Sequence, residues 1–181
     1  VDWDLDNATP DRGILRQRST NLVRAMGDSL GGLPFTGILA LCGDAFFDDL
    51  VKHKEVYDTY LGHPGASRLR QPVIDISNQS INTGVWGRID LFDITWVNYR
   101  GMAGGPQIPT NECKFIPMGV PGLFRSVYAP ADYIETVNTM GKKLYVKTIP
   151  MQNDKGVSVE YQTNVIHYCT RPRLLMRATR T

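Results

Sequence analysis

A chain of 181 residues, 42% hydrophobic and 21% charged, is long enough for one core or for two small lobes sharing a sheet, and its composition argues against disorder. Twenty Lys and Arg against eighteen Asp and Glu leave a net charge of +2, so neither nucleic acid nor an anionic membrane is indicated as the main partner. No apolar run is long enough to span a bilayer, and no signal-peptide pattern is present.

The first strong element is a helix predicted from Pro10 to Leu30, with Thr9 as N-cap, Pro10 in the first turn and Asp11 at the positive end of the dipole. Leu15, Leu22, Met26 and Leu30 form its apolar stripe, while Arg12, Arg16, Arg18 and Arg24 take much of the rest. Gly13 weakens the first turn and favours a later start, and Gly31-Gly32 supplies the stop. Leu39–Cys42 reads as a short buried strand. Ala45–Lys52 follows as a helix burying Phe46, Phe47, Leu50 and Val51, and after a break at His53-Lys54-Glu55 a further turn or two covers Val56–Leu61. His63-Pro64-Gly65 ends that segment, and Ala66–Thr83 has no period, which predicts an irregular connection.

Alternation returns at Val85–Leu91 and Phe92–Tyr99, with Ile89, Leu91, Ile94 and Trp96 on one face and Val97 and Tyr99 on the other. Arg100–Pro106 is a loop, Asn111–Pro117 a strand, and Ala129–Asn138 a short helix started by Pro130 and carrying Ile134 and Val137. Leu144–Met151 and Gly156–Tyr161 read as a hairpin turned by Asp154-Lys155-Gly156, and Leu174–Ala178 as a last strand. Helices first and strands later define an α+β chain with a mostly antiparallel sheet.

Little here suits catalysis. His53, His63 and His167 stand in no nucleophile, phosphate-loop, dinucleotide or zinc-protease pattern. Asp44, Asp48, Asp49 and Glu55 form an acidic group in which Asp44 and Asp48 share a helix face; they either hold a divalent metal or stabilise a helix start. Gly101–Gly105 lacks the strand-loop-helix setting of a phosphate site. Trp86, Trp96 and Tyr99 belong to packing rather than base stacking. Cys42, Cys113 and Cys169 are widely spaced and odd in number, which disfavours a zinc site and fits a reducing compartment better than a disulfide scaffold. From the residues alone the chain is an α+β domain without cofactor, metal or enzymatic activity.

The stretch Phe115–Gly141 is dense in Gly, Pro, aromatics and aliphatics and contains one Arg, Arg125. Its Gly119-Val120-Pro121-Gly122 run makes a rigid bend. Together with Val1–Leu5, Leu30-Gly31-Gly32, Phe35-Thr36-Gly37, Leu41–Asp48, Tyr99-Arg100-Gly101, Asp154-Lys155-Gly156 and Cys169-Thr170-Arg171-Pro172, it resembles the lambda-type major capsid protein E family of tailed bacteriophages. Gly65–Gly84 departs from that pattern.

The resemblance implies the shell-protein fold of the Hong Kong 97 type, with a peripheral domain, its spine helix and an axial domain. Residues 1–34 would be the linker and spine helix, 35–140 mainly the axial domain, and 141–181 the return strands of the peripheral domain. The chain would be part of a longer protein whose N-terminal arm and extended loop lie outside it. The implied activity is self-assembly into hexamers and pentamers of an icosahedral shell around DNA. Scaffold and decoration proteins would be further partners, DNA would be held only non-specifically, and the location would be the virion after assembly in the host cytoplasm. The subunit contacts expected are Val120, Pro121, Gly122, Leu123 and Phe124, the helix arginines Arg16 and Arg24, and a strand carrying Arg171, Arg173 and Arg177. Two other readings stay open: a different phage head or tail structural protein, and a small metal-dependent enzyme built on Asp44, Asp48 and Glu55.

Overall fold

The computed structural model describes residues 1–7, 12–61, 85–101 and 107–181. Its contacts divide the chain into two compact units, Val1–Pro121 with Pro172–Thr181, and Gly122–Arg171. These boundaries do not follow the segments expected at 34/35 and 140/141: the long helix shares a core with the strands that follow it, and the second unit is set into the chain between Pro121 and Pro172.

In the first unit the long helix, α1, runs Ile14–Leu30, four residues later than expected. Thr9, Pro10 and Asp11 lie outside the described residues. Gly13 stands at the N-cap in the left-handed region (φ 79, ψ 11), where it offers no side chain to the helix amides. Those amides are met from elsewhere: the Glu55 carboxylate accepts from the Leu15 N–H at 3.0 Å and the Arg16 N–H at 3.3 Å. At the other end Gly31 adopts φ 60, ψ 40, the left-handed C-terminal stop that the Gly-Gly pair foretold. Leu15, Met26 and Leu30 are buried as the stripe required, and Leu22 packs partly against the core.

β1 (Gly37–Cys42) is followed by α2 (Asp44–Lys52) and α3 (Lys54–Leu61). His53 parts the two helices by adopting an extended ψ of 133, and its buried ring turns Nδ1 to accept from the Glu55 N–H at 3.3 Å. Phe46, Phe47 and Leu50 are buried as expected, while Val51 is only partly covered. Gly43 permits the β1–α2 corner to press on the chain opposite, because a Cβ there would overlap the Pro109 carbonyl and the Thr110 backbone.

Four more strands complete this unit: β2 (Val85–Leu91), β3 (Ile94–Tyr99), β4 (Glu112–Met118) and, after the second unit, β9 (Met176–Thr179). The sheet order is β2-β3-β1-β4-β9, with β1 and β3 parallel and every other pair antiparallel. β2 and β3 form a hairpin through Phe92 and Asp93, both left-handed at φ 54 and 63, a primed two-residue turn made without glycine. The core under this sheet is aromatic. Trp3 lies 5.2 Å from Trp96 and 5.5 Å from Phe115, Trp96 lies 5.5 Å from Phe115, and Phe46 sits 6.3 Å from both tryptophans. Trp3 is carried into that cluster by a short parallel bridge between Asp2 and Thr179, where the Trp3 N–H donates to the Thr179 carbonyl at 3.0 Å.

The second unit consists of two antiparallel ribbons. β5 (Phe124–Ala129) pairs with β8 (Asn164–Cys169), and β6 (Tyr145–Pro150) pairs with β7 (Val157–Gln162). The β6–β7 hairpin turns where Asp154-Lys155-Gly156 predicted. β5 and β8 were not foreseen. Ala129–Asn138 is not a packed helix: Ala129 ends β5, and only Ile134–Thr136 makes a single tight 3-10 turn. Ile134 is 93% exposed and Val137 64%, so the apolar stripe expected of a helix has nothing to lie against.

Candidate subunit-contact surface

The second unit buries few side chains of its own, chiefly Leu123, Ala131 and Tyr145. Most of the large apolar side chains exposed among the described residues belong to it. The β6–β7 register explains how. Tyr145 faces Gln162, Lys147 faces Glu160 and Ile149 faces Ser158, which places these side chains on one side of the ribbon. The pairs Val146–Tyr161, Thr148–Val159 and Pro150–Val157 fall on the other.

The first side is partly covered by the segment 131–142, with Ile149 left at its exposed end. Lys147 pairs with Glu135 at 3.2 Å and lies 4.8 Å above the Tyr133 ring. The Tyr133 hydroxyl donates to Glu160 at 3.4 Å. Its phenol is pushed above the ordinary tyrosine value, first by desolvation and then by the Glu160 charge. Gln162 donates to Asp132 at 2.9 Å, and the Tyr145 hydroxyl bonds the Met140 carbonyl and the Lys142 N–H at 3.2 and 3.0 Å. Gly141 lets this segment lie on the Tyr128 carbonyl, a position that a Cβ would occupy.

The second side has no such cover within the unit. Val146, Val157, Val159 and Tyr161 are all exposed, Tyr161 to 70%, and together with Pro150 and Thr148 they make an uncharged, mostly apolar strip. Such a face on a two-stranded ribbon is typical of a surface that another chain closes. Among the described residues both ribbons also have unpaired strand edges.

The residues expected to make contacts are distributed over both units. Val120 is half-buried, Pro121 and Gly122 are exposed, and Phe124 is 57% exposed at the start of β5. Leu123 is a correction: it is buried, and its carbonyl accepts from the Thr170 N–H at 2.8 Å, so it is a structural anchor. The expected Arg171–Arg177 strand is also corrected. Pro172–Leu174 forms a helical turn against α1, and only Arg177 lies in a strand, 3.4 Å from Glu112. Arg171, Arg173 and Arg177 are exposed. On α1, Arg24 is exposed and the Arg16 guanidinium stands 5.5 Å above the Phe92 ring. The β6–β7 strip was missed because a Val/Tyr alternation reads equally well as a core face.

The acidic group is not gathered into one cluster. Asp44 pairs with Arg100 at 3.7 Å, Asp49 with Arg180 at 3.2 Å, and Glu55 caps α1, while Asp48 is exposed. No group of three metal-ligating side chains occurs among the described residues. Nor is any described helix long and apolar enough to cross a membrane.

The described residues thus form a mixed helix-and-sheet unit and a second unit of two ribbons, one of which carries an exposed apolar face. The chain belongs to the phage major capsid protein E family, whose model matches residues 1–180. It is similar to the major capsid protein of Pseudomonas phage KPP10, 26% identical over 98% of this chain and 51% of that protein. The major capsid protein of Salmonella phage Felix O1 is 35% identical over 72% of this chain and 41% of its own length. Among solved structures, one assigned as the capsid protein of a prophage of E. coli CFT073 matches 99% of this chain and 50% of its own, with a TM-score of 0.55 and 15% identity. That match is one of fold. The chain spans about half the length of the relatives it matches.

Proposed function

We propose that this chain is part of a phage or prophage major capsid protein that assembles with copies of itself into the icosahedral shell enclosing DNA. The observation that carries the reading is the bare β6–β7 face. Its apolar pairs leave a surface that is costly in water and that symmetric self-association removes. Family membership and the likeness to capsid proteins support the same conclusion.

In this reading the fold is of the Hong Kong 97 type, with α1 as the spine helix. The peripheral and axial parts are drawn from the two compact units, and the assembled forms are hexamers and pentamers. The role is structural rather than enzymatic, and its place is the virion, reached after assembly in the host cytoplasm. Scaffold and decoration proteins and non-specifically held DNA are the further partners. The half-buried Val120 and the exposed Arg16, Arg24, Pro121, Gly122, Phe124, Arg171, Arg173 and Arg177 are contact candidates.

The test is negative-stain microscopy of the full-length product, expressed alone and with its neighbouring genes. Closed shells, or rings of five and six, are expected. A single small particle under every condition would refute the proposal and leave another head or tail component as the better reading.

A further inference from the structure

Cys42 and Cys113 meet in the middle of the five-stranded sheet. They are direct partners in the antiparallel β1–β4 register, and their sulfurs are 3.1 Å apart. Both thiols are free and completely buried. The Gly43 N–H donates to the Glu112 carbonyl at 2.9 Å, a bond that flanks the pair rather than joining it. Cys42 and Cys113 therefore occupy a site where facing residues exchange no backbone bond, which is the closer of the two kinds of antiparallel pair. The Cα separation at such a site, about 4.5 Å, lies within the range a disulfide accepts, and closure needs the sulfurs to approach by only about 1 Å.

We propose that Cys42 and Cys113 form a peroxide-driven covalent staple between β1 and β4, open in a reducing environment and closed in an oxidising one. Burial, and then the neighbouring Cys42 thiol, push the Cys113 thiol well above its ordinary value, so Cys113 forms little thiolate while the sheet is closed. The Cys42 thiolate attacks one oxygen of hydrogen peroxide. The O–O bond breaks, Cys42 becomes a sulfenic acid, and the departing hydroxide takes up the thiol proton as water. Cys113 sulfur then attacks Cys42 sulfur. The S–O bond breaks, and hydroxide leaves with the Cys113 proton as a second water. Two thiols are oxidised to one disulfide while one peroxide is reduced to two waters. Because both sulfurs are sealed from solvent, the reaction waits on local opening of the sheet and is slow.

The staple would close a loop from Cys42 to Cys113 around α2, α3, β2 and β3, which is where a cross-link restricts the unfolded chain strongly. Cys169 is partly exposed and belongs to the other unit, so it is removed from the test. The full chain carrying Cys169→Ser is treated with hydrogen peroxide under native conditions, quenched, unfolded and alkylated. The expected product is lighter than the reduced chain by about 2 Da, takes up no alkylating agent, and yields one peptide joining Cys42 to Cys113. Its melting midpoint is expected to rise by roughly 5–10 °C and to fall back with dithiothreitol. Two alkylated cysteines, a gain of one or more oxygens in place of the linkage, or a linked chain that melts no higher would each overturn the proposal.

Discussion

Replacing Glu55 by Ala removes a single acceptor that serves two amides of α1. The bonds at 3.0 and 3.3 Å reach the second and third helical residues, the positions an N-cap side chain would ordinarily serve, and Gly13 supplies no substitute. Loss of an N-cap side chain costs about 1 kcal/mol, and a negative charge at a helix N-terminus contributes about 0.3–1 kcal/mol more. The second amide adds about 0.5 kcal/mol, less than a buried bond, because Arg16 is exposed and water can replace the carboxylate there. The sum is about 2 kcal/mol. Glu55→Gln keeps one acceptor oxygen and loses the charge, and should cost about 1 kcal/mol. Urea unfolding followed by tryptophan fluorescence reads this directly, since Trp3 and Trp96 lie buried in the same unit. An Ala variant within about 0.5 kcal/mol of the parent would refute the tertiary cap, as would a Gln variant as unstable as the Ala one.

Burial holds the His53 imidazole below its ordinary pKa, opposed by Glu55, reinforced by Arg18 and slightly countered by Asp4. The fold thus favours neutral His53; stability is full above pH 6.5 and falls as pH drops through 6.5 toward the lower folded value, so His53→Gln should flatten the change in urea midpoint between pH 7 and 5. An unchanged slope would remove His53 as the cause. Gly43→Ala forces a Cβ into the Pro109 carbonyl and should destabilise by about 2 kcal/mol or more, measured as a lowered melting midpoint; a neutral result would contradict the close approach. Trp96→Ala empties the centre of the aromatic cluster and should cost about 3–5 kcal/mol with loss of near-UV dichroism. Val159→Asp on the bare strip should change stability by less than about 0.5 kcal/mol yet abolish shells under the microscope; shells formed normally would exclude that face from assembly.

Much of the first unit was legible because its periods are strong. The Leu15–Met26–Leu30 stripe, the Gly31 stop and the alternation through Ile89, Leu91, Ile94 and Trp96 each match the burial they predicted. The β2–β3 turn was not recognised as one, because Phe92-Asp93 carries no glycine and its left-handed backbone is imposed by the strands it joins. β5 and β8 escaped for another reason. Their residues, such as Arg125-Ser126-Val127 and Ile166-His167-Tyr168, mix polar and apolar side chains on strands with little burial, so no alternation survives to be read. Of the two readings of the acidic group, carboxylates at a helix start is the one Glu55 fits, but the helix it serves is α1, forty residues back along the chain. The family resemblance drew on ordered motifs along nearly the whole chain, whereas the exposed apolar face of β6–β7 lies in residues that no motif included.

The placement of the second unit between β4 and β9 has a consequence for the order of synthesis. The pairings of β1 with β3 and β4 are available once the chain has been made through Met118, but β9 follows only after the whole second unit, Gly122–Arg171, has been made. Until then the outer edge of β4 has no partner, and the bridge that seats Trp3 beside Thr179 cannot close. A nascent chain therefore presents an open strand edge and an unsealed aromatic core while the apolar ribbons are being made. Premature association at the β4 edge competes with β9 during that interval. Pulse-labelled hydrogen exchange should find β9 amides protected later than those of β1 and β3; simultaneous protection would show that the sheet waits for its last strand before any of it forms.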